Sequence, residues 1–243
     1  MRLAALTSLA LIGCAEVENK FQETVPAGVV AQVYAAVDRG DVTYTGDADA
    51  VDITFDVRSW GRGGGKGKAA SNEAANDWGV QVLDSELTAW GLSPKKTAGV
   101  DFGFAGPEIM DVEIVTLEGD AELYGVDGAH IVTADSVVGT AISGSADLYA
   151  SRGGVTVELY PDFGSLIVLE AVDGDIVLGL PFGLQYDIEV LGDWDYPMDV
   201  EDLGFDAAII EPGYFASQTG GGNVVVQVYV DGGGFYLYES PPL

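Results

Sequence analysis

A chain of 243 residues that carries 39 Asp and Glu against 10 Lys and Arg, a formal charge of −29, repels phosphate backbones and anionic lipid, both of which need a basic face. Nucleic acid is therefore excluded as a partner, and the length allows one sizeable domain with a real core. The single cysteine permits no intrachain disulfide, and the single histidine, His130, has no His or Cys companion for a transition-metal site. No cofactor and no resident metal are expected.

Residues 1–13, MRLAALTSLALIG, place one basic residue, Arg2, before an apolar run too short to span a bilayer, which is the pattern of a targeting segment. The tetrapeptide Leu11-Ile12-Gly13-Cys14 resembles the bacterial lipobox, where small residues before the cysteine admit a signal peptidase and the thiol takes a diacylglyceryl group. The resemblance implies a signal peptide at 1–13, cleavage before Cys14, lipidation of Cys14 and a membrane-held mature chain. Ala15 stands where such lipoproteins carry an aspartate if enteric bacteria retain them at the inner membrane. An outer-membrane location is implied. Residues 14–24 then read as a short polar tether, and residues 25–243 as the domain.

The domain opens with strand patterns. Val33, Ala35 and Val37 alternate up to a turn at Arg39-Gly40-Asp41; Val42 and Tyr44 follow, and Val51, Ile53, Phe55 and Val57 alternate strictly. Arg39-Gly40-Asp41 spells an integrin-binding tripeptide, but the turn already accounts for these residues. From Arg58 to Asn76 the alternation stops, and Gly61, Gly63, Gly64, Gly65 and Gly67 stand among Arg58, Arg62, Lys66 and Lys68. This reads as a long flexible loop, in which Ala69 to Ala75 could make a helical turn or two, or as a contact for an acidic partner. It is no phosphate-cradling loop, because Gly67-Lys68 is followed by Ala69 rather than Ser or Thr. A hairpin around Asp84-Ser85 comes next.

Residues 111–183 write one short unit about four times. DVEIVTLEGDAELYG and SLIVLEAVDGDIVLGLP are its clearest copies, each an alternating run, a Gly-Asp turn and a second run. Two looser copies lie between, with Val138-Gly139 and Gly153-Gly154 at the turn positions. The turns recur at roughly 18 residues, a coil length of repeating β architectures. Each unit buries one face only, so it needs a neighbour stacked upon it. The fold expected is all-β, a single-stack right-handed β-solenoid, with Val112, Ile114, Leu123, Leu148, Val155, Val157, Val168, Ile176, Leu178 and Leu180 pointing inwards. Residues 192–222, irregular and aromatic, read as a C-terminal cap over the open end, or as a carbohydrate-stacking platform. Asp120, Asp127, Asp173 and Asp175 recur with the turns and could fall in register as a weak Ca²⁺ site, although turns favour Asp on their own account.

Taken together, GDVTYTG, the intervening loop, VEIVTLEGDAELYG, DGDIVLGLP and the closing VQVYVDGGGFYLY resemble the bacterial putative-adhesin family of toastrack-like domains, over residues 25–238. Its recurrent Gly-Asp-Val turn is matched at Gly40-Asp41-Val42 and Gly174-Asp175-Ile176 and degraded elsewhere. The resemblance implies a cell-envelope β-solenoid with no catalytic residues to carry over. The function expected is a non-catalytic structural or adhesive lipoprotein, tied to the membrane by lipid on Cys14, with an envelope protein or a surface glycan as the further partner. A regulatory envelope module acting through a protein partner is the alternative. A polysaccharide-active β-helix enzyme would need paired carboxylates on adjacent coils.

Overall fold

The computed structural model describes residues 14–193, 195–219 and 222–241, with only the backbone of Ala207. The signal peptide read at 1–13 lies outside the described residues. Among those described, strands dominate and a single short α-helix is present.

Each repeat folds as two strands joined by a tight turn. In β8 (Asp111–Thr116) and β9 (Ala121–Tyr124) the alternation sends Val112, Ile114, Ala121 and Leu123 inwards, all at most 1% exposed. The first strands of the repeats pair with one another, as do the second strands, so two ladders form. The first ladder runs β5 (Asp77–Leu83), β6 (Glu86–Leu92), β2 (Gln32–Val37), β8, β10 (Asp127–Ala134), the end of β11 (Val137–Ala150), β13 (Leu166–Ala171), β19 (Val224–Val230), β15 (Tyr186–Leu191), β18 (Tyr214–Gln218) and β17 (Ala207–Glu211). The second runs β1 (Ala15–Pro26), β4 (Asp52–Gly63), β7 (Ala98–Pro107), β3 (Val42–Asp47), β9, the start of β11, β12 (Val155–Tyr160), β14 (Ile176–Leu180), β20 (Phe235–Glu239) and β16 (Met198–Val200). Pairing is parallel through the middle of both ladders and antiparallel at β5–β6, at β1–β4–β7 and at β15–β18–β17. The inner faces of the ladders supply one continuous apolar core. Its two largest buried phenols keep a partner for the hydroxyl, as buried tyrosines do: Tyr44 donates to the Pro107 carbonyl and Tyr186 to that of Pro181.

Spatial order departs from chain order at both ends. The strand pair β2–β3 lies between β6–β7 and β8–β9, and β19–β20 lies between β13–β14 and β15–β16. β11 serves both ladders, first beside β9 and β12, then beside β10 and β13, with an irregular register between Gly139 and Ile142, where Ala141 has a φ of 56°, and the passage from one ladder to the other at Ser143.

Several expectations need correction. The stretch read as a tether is a strand: β1 pairs with β4 from Ala15–Gly63 to Pro26–Asp52. The glycine-rich loop is also ordered, since β4 continues to Gly63 and α1 (Lys66–Glu73) follows. Asn72 donates to the Arg62 carbonyl and to Thr97, and Asn76 to Ser59 and to the carbonyls of Trp60 and Gly99. Those amides dock the helix on β4 and β7, which glycine content alone does not reveal. Val138 and Gly139 lie inside β11, and the turn is at Asp135-Ser136. Val168 faces outwards, because Ile167, Leu169 and Ala171 fill the core; four consecutive apolar residues, 166–169, offer no alternation from which to read the register. Val51 is 77% exposed ahead of β4. Residues 192–222 contain β16, β17 and β18, and β18 covers the outer edge of β15.

Candidate functional site

The ladders leave two long edges, one where each coil turns from its first strand to its second and one where it crosses to another coil. At the turn edge, glycines let successive backbones touch. A Cβ on Gly119 would stand 2.0 Å from the Gly40 carbonyl oxygen, so only glycine fits. The aspartates that follow do not simply repel. Asp101 accepts the Asp41 N–H at 3.2 Å, Asp41 accepts the Asp120 N–H at 2.9 Å, and Asp175 accepts the Gly234 N–H at 2.8 Å. Each carboxylate thereby holds the turn of a neighbouring coil.

Beside this row the turn edge forms a polar cleft of about 430 Å³ lined by Arg39, Arg58, Trp60, Arg62, Lys96, Glu118, Asp135 and Arg152 among others. Arg39 pairs with Glu118 at 2.7 Å and donates to the carbonyls of Ser93 and Lys95. Arg58 spans Glu16 at 2.5 Å, Glu18 at 2.8 Å and Asp101 at 2.9 Å. Arg62 binds Glu16 and lies 4.9 Å over the Trp60 ring, whose Nε1–H donates to Asp101. Arg152 grips Asp135 at 2.6 Å and reaches the Leu117 carbonyl. Hydrogen bonds from Arg62, Arg58 and Arg39 hold the carboxyls of Glu16, Glu18 and Glu118 respectively below their usual range. Every arginine among the described residues is thus neutralised from within the protein, and most of these pairs join different coils or strands. The cleft is a clamp across neighbouring strands.

Towards the other end the same edge changes character, because no Lys or Arg follows Arg152. A groove of about 380 Å³ there sets Tyr229 and Leu191 among Glu170, Asp193 and Asp231.

The residues singled out by sequence fall apart in space. Cys14 is exposed and free, directly ahead of β1. Arg39 of the Arg-Gly-Asp tripeptide is committed to Glu118 and two carbonyls, so the tripeptide is a turn of the clamp. Asp120 and Asp175 share the turn edge, but the turns of two intervening coils, at Ser136 and Gly154, separate them. Asp127 begins β10 at the opposite edge, and it does not join them. Among the described residues no group of three His, Cys, Asp or Glu could hold a metal ion. His130 is buried in the core, with Nε2–H donating to the Ser143 carbonyl at 3.2 Å. The clamp itself was missed from sequence; the signal was an arginine adjoining a turn in two coils, Arg39 and Arg152.

No protein-family model matches the sequence, and no curated relative does. Among solved structures, the fold is similar to a putative cell adhesion protein from Clostridium sporogenes ATCC 15579, with a TM-score of 0.53 at 9% identity over 92% of this chain and 100% of that one. A putative adhesin from Bacteroides fragilis NCTC 9343 aligns over 90% of this chain and 97% of its own at 10% identity, TM-score 0.30. A putative lipid binding protein from Parabacteroides distasonis ATCC 8503 aligns over 91% and 97% at 8% identity, TM-score 0.28. The Clostridium protein shares the all-β fold along its whole length.

Proposed function

We propose that this chain is a lipid-anchored bacterial cell-envelope protein, held in the outer membrane through Cys14, with a non-catalytic structural or adhesive role. We further infer that its domain is a right-handed single-stack β-solenoid, the hand that crossovers between parallel strands take in general. One observation carries the role: the arginine-rich cleft at the turn edge spends its arginines on ion pairs between strands and coils of the protein itself. What the molecule offers to others is then extended surface. The description of the Clostridium sporogenes protein as a putative cell adhesion protein supports adhesion, and the exposed thiol next to the first strand supports the anchor.

Replacing Cys14 by Ser tests this reading. The variant should lose incorporation of radiolabelled palmitate and leave the membrane fraction, and cells producing it should lose the surface attachment that wild-type cells show. Unchanged membrane association overturns the anchor, and equal attachment overturns the adhesive role.

A further inference from the structure

The crossover edge carries the reverse chemistry of the clamp. Its loops present Val29, Ile109, Phe163 and Phe182, which are 56%, 72%, 83% and 61% exposed. The two phenylalanines sit in the same local device, Pro161-Asp162-Phe163-Gly164 and Pro181-Phe182-Gly183. Proline restrains the start of each loop, and the glycine after each ring takes a φ of 87° or 88°, a turn conformation that an L side chain resists. Both loops are fixed by one segment: Gly164 N–H donates to the Asn223 carbonyl and Val224 N–H to that of Gln185. Leu166, Val225 and Asp187 are register partners on β13, β19 and β15, so the loops stand two strand spacings apart, roughly 10 Å. Leu166 and Val225, themselves 48% and 36% exposed, add apolar surface between them.

Charge decides what could cover this edge. Between Ile109 and Phe182 the only cation in the sequence is Arg152, which is bound to Asp135 at the opposite edge. Asp162 adjoins Phe163 in the chain, Asp187 is the register partner of Val225, and both are exposed. A second copy would bring the same acids against these, an anionic bilayer would be repelled, and a zwitterionic one offers no electrostatic attraction. We propose that the crossover edge is a docking surface for a protein segment that is both apolar and basic, with Phe163 and Phe182 as its anchors. This would be the contact face of the adhesive reading above, and in one respect it rests on that reading. β1 runs from Ala15 at the turn edge to Pro26 at the crossover edge, up to roughly 40 Å along the strand. With Cys14 in the membrane, the docking edge faces away from the anchor.

The test uses the full chain carrying Cys14→Ser, so its outcome does not depend on lipidation. A fluorescein-labelled helical peptide with Leu on one face and Lys on the other is titrated against it and against the additional double variant Phe163→Ser/Phe182→Ser in 0.15 M NaCl. The double variant should bind about 10-fold more weakly with little change in melting temperature, since both rings are largely exposed and neither belongs to the core. Phe163→Ser alone should give part of the loss and stands in if the double variant misfolds. Equal affinity of the double variant overturns the proposal, as does equally tight binding of a peptide of Lys alone. Phenylalanine-dependent partition onto phosphatidylcholine vesicles would assign the edge to lipid instead. A phenylalanine-dependent dimer in sedimentation would assign it to a second copy.

Discussion

Gly119 is among the tightest residue-level constraints in the protein, because a methyl group there would meet the Gly40 carbonyl oxygen at 2.0 Å and backbone cannot step aside. Gly119→Ala should cost about 2–4 kcal/mol in thermal or denaturant unfolding. Gly103→Ala is the contrast. Its Cβ would meet nothing nearer than the Asp56 Cβ at 3.9 Å, so stability should move by no more than about 0.5 kcal/mol. A second residue-level prediction concerns His130. Burial pushes its pKa below the ordinary 6.5, and the hydrogen bond to Ser143 with the charges of Asp111 and Asp127 opposes that shift only in part. The folded chain therefore holds the ring neutral while the unfolded chain binds a proton at about 6.5. The contribution is fully present above that pH and is lost as pH falls through the lower folded value. Wild-type stability should decline below about pH 6.5, and His130→Gln should flatten the first part of that decline in melts taken at successive pH values.

Among the elements, β19 and β20 carry the sharpest consequence. They come last among the described strands, yet they supply the rung between β13–β14 and β15–β16. A chain truncated after Gln218 therefore loses an interior layer, with Val224, Val226, Val228, Phe235 and Leu237 of the core, rather than a terminal repeat. The expected outcome is loss of the cooperative thermal transition in far-UV circular dichroism. A truncated chain that still melts sharply near the wild-type temperature would show that the stack can close over the gap. The same placement makes folding depend on pairings distant in sequence, which slows it.

For the whole molecule, the charge of −29 is the dominant long-range quantity. Self-repulsion opposes the compact state and salt screens it, so the melting temperature should rise with NaCl. Millimolar Ca²⁺ at matched ionic strength should add little. Of the turn aspartates that sequence periodicity suggests as ligands, Asp120 is separated from Asp173 and Asp175 by the Ser136 and Gly154 turns, Asp127 lies at the opposite edge, and Asp175 already accepts the Gly234 N–H. A large, saturable, Ca²⁺-specific rise in melts would overturn the screening account. The benefit of salt should concentrate after Arg152, where no cation remains to pair with the acids, and hydrogen exchange in β13, β15 and β19 should slow most as NaCl is added.

The two kinds of information divide along a physical line. Which side chains face the core was legible wherever apolar and polar residues alternate, as in Val112 and Ile114 or Val155 and Val157, because side-chain direction along a strand depends on that strand alone. The Gly-Asp turns were legible for the same local reason, and with them the all-β repeat. The reading failed where the local signal vanishes, at the uniformly apolar residues 166–169 and at Gly139, which looked like a turn but sits in β11. Only the tertiary structure decided which strand lies beside which. Backbone N–H and C=O groups are the same in every strand, so nothing in the repeat marks β2–β3 and β19–β20 for insertion out of chain order. The candidate surfaces were hidden for the same reason: the arginine clamp joins residues up to 79 positions apart, and the two phenylalanine loops stand together only because β19 lies between their strands.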